Sequence, residues 1–211
     1  HHGVLFLDEF PEFSRSVLEV LRQPLEDNSI SITRLRHAYT FPASFILVAA
    51  QNPCPCGNYG QPTLECVCHP LTVQRYRKKI SGPLLDRIDL HINVPRLEYK
   101  EIMERPSEET KHDSSLTVQQ RVTAARAIQT TRFQKPQTNG EMSTDQLKQF
   151  CAVIDNQANT LLEQAANKYL LSGRSIHRVL KVARTIADLA GSENIDLPHL
   201  AESLQYRVQN D

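Results

Sequence analysis

The sequence carries no net charge, because 24 Lys and Arg balance 24 Asp and Glu across 211 residues. No global field draws it to nucleic acid or to a membrane surface, so any such partner has to be read from local clusters. Long apolar runs are missing too. None approaches the ~20 residues that a bilayer-spanning helix needs, and the N-terminus lacks the basic-then-apolar order of a secretion signal. These absences predict a cytoplasmic chain with no membrane partner. Internal repeats and low-complexity tracts are also absent, leaving one full domain or two small ones for this length. Cysteines are not dispersed as a disulfide framework would have them. Four of the five fall within fifteen residues, at Cys54, Cys56, Cys66 and Cys68, and Cys151 stands alone in a helical stretch. The opening His1-His2 reads equally as a tag remnant or as native sequence and carries no weight here.

What is present divides into two textures. From Gly3 to about Pro95, short apolar runs alternate with polar connections, the pattern of an open parallel sheet with helices. Gly3–Leu7 and Phe45–Ala50 are apolar throughout, as strands buried on both faces are, and Leu90–Val94 is a weaker third run. A helix is expected from near Ser16, where Ser16 and Glu19 have capping-box spacing, with Pro24 at its end or at a kink. Between Ser29 and Phe41 single-residue alternation predicts a hairpin with a basic tip. Residues 98–114 are charged and contain Pro106, which marks a connection. Beyond it helices are expected at about 116–134, 144–151, 157–171, 175–190 and 197–206. Ile176, Val179, Leu180, Ala183, Ile186, Ala187 and Ala190 form one apolar stripe.

The first run ends in Asp8-Glu9, two carboxylates at the carboxyl edge of a parallel sheet, where such sheets bind ligands. In a P-loop ATPase the first acid holds Mg²⁺ through water and the second orients and activates the attacking water. Two solvated acids at a strand end would look the same. The second run leads into Asn52, which lies beside Asp8 if the strands are neighbours. Its amide can then bond the attacking water or the γ-phosphate, although Asn52-Pro53 also suits a plain turn. In Leu84-Leu85-Asp86-Arg87-Ile88-Asp89, Arg87 follows a helix and precedes the third run. From there a fixed cation can reach a neighbouring subunit's site, or serve as a surface salt-bridge partner.

The cysteines form two Cys-x-Cys pairs separated by nine residues, with a glycine-containing loop between them. Four thiolates brought together close a tetrahedral Zn²⁺ site of structural type, with His69 as a substitute ligand. Four metal-free thiols pinning a loop is the alternative. Arg75-Tyr76-Arg77-Lys78-Lys79 is a local basic cluster that also suits a solvated helix face.

Gly-Val-Leu-Phe-Leu-Asp-Glu-Phe-Pro-Glu-Phe, Phe-Ile-Leu-Val-Ala-Ala-Gln-Asn-Pro-Cys-Pro-Cys-Gly, Ser-Gly-Pro-Leu-Leu-Asp-Arg-Ile-Asp-Leu-His and the late Leu-Lys-Val-Ala-Arg-Thr-Ile-Ala-Asp-Leu together resemble the magnesium-chelatase-like ATPases of the ComM/YifB type. The resemblance covers nearly the whole chain. It implies an α/β fold: a partial AAA+ P-loop NTPase core at 1–97, made of a parallel sheet with helices and a β-hairpin insertion. A linker at 98–114 and an all-α helical lid domain at 115–211 would follow. It also implies a homo-oligomeric ring, a hexamer, with ATP and Mg²⁺ as cofactors. Asp8 and Glu9 become the Walker B pair, Asn52 sensor 1, Arg87 the arginine finger and Arg174 sensor 2, with Arg178 as the alternative for that last role. Arg34, Arg36 and His37 lie on or near a hairpin that in related ring helicases touches the DNA backbone. An exposed hairpin with no ligand fits the same residues.

The resemblance therefore implies a motor acting on single-stranded or branched DNA, a branch-migration helicase of natural transformation. Its rivals are the ATPase subunit that drives Mg²⁺ insertion into protoporphyrin and a non-catalytic zinc-stabilised interaction module. One departure stands out. No Gly-x-x-x-x-Gly-Lys-Ser/Thr loop occurs in the sequence, so the expectation is a truncated chain that binds ATP poorly and hydrolyses it negligibly alone.

Overall fold

The first element is the apolar strand β1 (Gly3–Leu7), followed by a 3-10 turn at Phe10–Glu12 and two short helices, α1 (Arg15–Val20) and α2 (Arg22–Asp27). Strands β2 (Ser29–Arg34), β3 (His37–Pro42) and β4 (Phe45–Ala49) come next, then α3 (Pro70–Arg77) and α4 (Gly82–Leu85). This computed structural model describes residues 1–34, 37–61, 64–96, 103, 114–153 and 155–207. The chain folds as two units, His1–Ile88 and Asp89–Asp211. Apart from Met103 and Ser114, the expected linker at 98–114 lies outside the described residues.

In the first unit β1 and β4 pair in parallel, with Gly3 opposite Phe45 and Leu7 opposite Ala49. The neighbour relation expected of the first two apolar runs is what the structure has. Their burial on both faces is not. Val4, Phe6, Ile46 and Val48 share one face by register and are 66%, 59%, 58% and 44% exposed. A two-stranded sheet cannot cover itself, and among the described residues only the Leu7 end joins a core, which gathers Phe10, Leu18, Ile80 and Leu84.

The third run is corrected as well. Leu90–Val94 forms no strand, since a strand needs a ladder partner. The His91 N–H goes instead to the Tyr206 carbonyl at 2.7 Å.

The first helix starts two residues earlier than its sequence signal, because Ser14 caps α1 by accepting the Val17 N–H at 3.4 Å. Pro24 falls in the first turn of α2, where its missing N–H costs no helical bond. The chain breaks at Leu21 instead. The hairpin forms as expected. β2 and β3 are antiparallel from Ser29 opposite Pro42 to Arg34 opposite His37, with Leu35 and Arg36 outside the described residues.

The second unit is helical, with α5 (Ser115–Phe133), α6 (Thr144–Phe150), α7 (Asn156–Lys168), α8 (Gly173–Leu189) and α9 (Leu197–Gln205). Each lies within three residues of its expected span. Caps from Ser114, Ser143, Asp155 and Ser172 start four of them. The α8 stripe supplies the centre of the core. Val179, Ala183 and Ala187 are fully buried, and Val179 and Ala183 pack in one cluster with Leu200, Ile195, Ala158 and Met142. No described helix is long and apolar enough to cross a membrane.

Candidate functional site

The acids of the first unit are set by the ends of two paired strands. Leu7 opposite Ala49 puts Asp8 at the carboxyl edge, and the chain then turns sharply. Asp8 Oδ1 accepts the Glu9 N–H at 2.8 Å. Glu9 itself takes φ 49 and ψ 43, the left-handed region that costs a residue with a side chain about 1–3 kcal/mol. The turn is held from both sides. The Ala50 N–H bonds Leu7 O and the Phe10 N–H bonds Ala50 O, each at 2.9 Å, while the Phe10 ring is buried. The strained Glu9 is thus clamped between a strand end and a core anchor, with its carboxylate and that of Asp8 exposed to solvent.

Asn52 follows the same edge three residues beyond Ala49 and is also exposed. The structure therefore brings Asp8, Glu9 and Asn52 to one end of one strand pair. Tyr76 of α3 is buried. Burial, then the charges of Glu12 and Glu9, push its phenol above the ordinary range.

Arg87 does not stand free. Its Nη2 is ion-paired with Glu26 of α2 and its Nη1 donates to Pro83 O at 2.6 Å, leaving 12% of the side chain exposed. Its Nε is buried and has no hydrogen-bond partner among the described residues. Nothing in the sequence around Glu26 signals this pairing, which spans 61 positions.

In the second unit Arg174 lies in the first turn of α8 and is exposed. A cation there opposes the helix dipole by about 0.3–1 kcal/mol, so helix stability does not explain it. Arg178, one turn on, donates Nη1 to Asp89 Oδ1 at 2.5 Å.

Arg184 of α8 is buried. It donates Nε to Asp188 Oδ1 at 3.0 Å and its two Nη to Glu193 O and Ser192 O at 2.7 and 2.6 Å. Arg132 forms a bidentate pair with the same carboxylate at 2.8 and 2.5 Å, and Asn139 Nδ2 reaches it at 2.8 Å. Although burial favours the neutral form of Asp188, these donors hold its carboxyl below the usual range.

On the hairpin, Arg34 and His37 are register partners and so share a face with Ile32 and Tyr39, which are 46% and 53% exposed. Arg36 lies outside the described residues. In the basic cluster, Lys79 bonds Glu12 at 3.1 Å.

The four clustered cysteines converge. Their ligand atoms lie within 4.8 Å of one another, a group that could hold a metal ion. The Asn58 N–H, then the Cys54 thiol, bring Cys56 down to about 6. Cys66 goes the other way: the Cys68 N–H favours its thiolate, but burial and the Cys56 and Cys54 sulfurs push it up to about 12. His69 is not drawn in as a ligand. Its Nδ1 caps α3 by accepting the Leu71 N–H at 3.3 Å.

A parallel strand pair with two acids and an amide at one edge, followed by a unit whose described elements are helices, defines a class: a mixed α/β chain consistent with part of a P-loop-like core and a helical domain. Residues 1–102 match the family described as magnesium chelatase, subunit ChlI, and residues 112–207 match that described as magnesium chelatase, subunit ChlI C-terminal. The chain belongs to this magnesium-chelatase-like family.

Among its relatives is Competence protein ComM of Haemophilus influenzae, 44% identical over 207 residues, which are 98% of this chain and 39% of that protein. YifB of Escherichia coli is 42% identical over 208 residues, 99% of this chain and 40% of that one. Rv2897c of Mycobacterium tuberculosis is 40% identical over 209 residues, 98% and 40%. The chain thus spans about two fifths of the length of the curated relatives it matches.

Proposed function

We propose that this chain carries the ATP-hydrolysing half of an AAA+ ATPase that works as a ring, a hexamer, on DNA. The observation that carries the reading is the parallel, in-register pairing of β1 and β4, which delivers Asp8, Glu9 and Asn52 to one exposed edge. Two solvated acids at an ordinary strand end would not require the left-handed turn at Glu9 or its clamp by Phe10.

The residues fit ATP with Mg²⁺, since a hard cation takes carboxylate oxygen and usually keeps several waters. When bound, Mg²⁺ neutralises charge on the phosphates. Asp8 would hold that ion through water. Glu9 would orient the attacking water and accept its proton, and Asn52 would hydrogen-bond the water or the γ-phosphate. Arg87, oriented by Glu26, and Arg174, with Arg178 as its alternative, would stabilise charge on the transferring phosphoryl group.

The DNA part rests on the hairpin, where Arg34 and His37 sit side by side at the end of an exposed face, and on similarity to a relative named a competence protein. Repeated around a ring, such tips grip phosphates by charge with little sequence preference. Branch migration of DNA during transformation is the process this reading assigns. Arg34→Ala in the full-length protein is expected to weaken single-stranded DNA binding alike for all sequences. It should also flatten the logarithmic salt dependence of binding by about 0.7 for each phosphate that is no longer neutralised. An unchanged slope in fluorescence-anisotropy titrations at several salt concentrations counts against the hairpin.

The decisive experiment is ATP hydrolysis by the full-length protein with and without single-stranded or forked DNA. DNA-stimulated turnover is the expected result. Turnover that responds to protoporphyrin and not to DNA transfers the reading to metal insertion, which the family description favours. No turnover under any condition leaves a binding module.

A further inference from the structure

The segment between β4 and α3 holds four cysteines that the ATP chemistry does not use. The sulfur separations are 3.4 Å for Cys54 and Cys56, 3.7 Å for Cys54 and Cys66, and 3.6 Å for Cys56 and Cys66. A disulfide requires about 2.05 Å, so these are free thiols. A tetrahedral Zn²⁺ with sulfurs at about 2.3 Å sets its ligands about 3.8 Å from one another. The observed spacings are close to that coordination shell.

The backbone turns tightly at the first pair. Gly57, at φ +79, makes the tight turn after the first pair, donating its N–H to Cys54 O at 3.0 Å. An L side chain is strained at that φ.

Ligand chemistry decides the occupant. An all-sulfur tetrahedron selects a soft or borderline metal over Mg²⁺ or Ca²⁺, which take oxygen. With four protein ligands no position remains open for substrate, so the ion is structural.

The place of the cluster gives it a consequence. Cys54 is wholly buried and follows Asn52 by two residues. On the far side, Cys68 immediately precedes His69, the cap of α3. Arg77 of α3 reaches back to Pro53 O at 3.5 Å and lies over the Tyr59 ring, 4.7 Å from its centroid. An ion at the sulfurs would close this loop at its two ends.

We propose that Cys54, Cys56, Cys66 and Cys68 bind one Zn²⁺ as a closed tetrathiolate, and that this ion fixes the turn carrying Asn52. The weight of that placement for turnover rests on Asn52 acting in the ATP site; the binding of the ion does not.

The test uses the full-length protein purified without a histidine tag. Elemental analysis should find one zinc per chain, released in step with thiol titration by a mercurial reagent. Cobalt substitution should give the visible spectrum of a tetrahedral tetrathiolate centre. Cys56→Ser/Cys66→Ser should lose the zinc and Cys151→Ser should keep it. Zinc removal by a chelator should speed amide exchange at residues 50–69 and leave α8 unchanged.

Absence of zinc, iron in its place, or zinc retained by the double variant overturns the site. Unchanged exchange on zinc removal overturns the clasp. The wild-type metal and cobalt measurements decide the matter even where the double variant does not fold, and none of these readings depends on ATP turnover.

Discussion

Glu9→Gln in the full-length protein is expected to cut ATP turnover by about 10²–10⁴-fold, the usual worth of a positioned general base, while nucleotide binding stays close to wild type. The substitution keeps the size of the side chain and its hydrogen-bonding reach but removes the group that accepts the proton of the attacking water. Its backbone cost is small, because the left-handed turn is already held by Phe10 and Ala50 and Gln occupies it as Glu does. Asp8→Asn should differ in kind, weakening Mg²⁺-dependent nucleotide binding as well as turnover, since Asp8 is read as the ion's holder. The measurements are steady-state ATP hydrolysis and binding of a fluorescent nucleotide analogue with and without Mg²⁺. A Glu9→Gln enzyme within about threefold of wild type would falsify the assignment of the base.

The second large effect concerns stability. Asp188→Ala is expected to destabilise the helical unit by about 3–5 kcal/mol. Asp188 and Arg184 are buried, their side chains 0% and 3% exposed, and the carboxylate is shared by Arg132, Arg184 and Asn139. Removing it leaves a guanidinium in the core with no counter-charge. Asp188→Asn should cost less, because an amide oxygen still accepts one of these bonds.

The pH dependence has a definite sign. Asp188 is held below its ordinary value of 3.8 in the folded chain, so the unfolded chain takes up its proton first as the pH falls. The stabilisation is fully present above that ordinary value and is lost as the pH drops below it, through the folded value. Urea unfolding of the chain, followed by helical circular dichroism from pH 7 down to pH 3, should show the loss in wild type and its absence in Asp188→Ala. A cost under about 1 kcal/mol for the alanine variant would remove the network from the account of stability.

Much of this chain was legible before any coordinates. The hairpin, the spans of the five helices given for the second unit's described residues and the α8 stripe follow from patterns of two or 3.6 residues, which the backbone imposes on any chain that buries one face. The carboxylates after β1 and the cysteine pairs are equally local: adjacent or near-adjacent residues stay together whatever the rest does. The closeness of β1 and β4 needed one inference more, that apolar runs of this kind pair with each other.

Other features were not legible, for a common reason. Arg87 meets Glu26 across 61 positions, and Arg132 meets Asp188 across 56. No periodicity connects such pairs; only the packing of α2 near α4, or of α5 on α8, selects them. Arg184 reads as a surface residue because its type is usually exposed. It is buried because Asp188, one turn on, and two carbonyls satisfy its donors. The exposure of Val4, Phe6, Ile46 and Val48, and the failure of Leu90–Val94 to become a strand, were decided likewise by which elements lie beside them. By itself the sequence determined the local order of Asp8, Glu9, Asn52 and the four cysteines. Only the tertiary structure decided which charges are paired, which apolar faces are covered and where four sulfurs meet, because burial and pairing belong to surfaces brought together from distant parts of the chain.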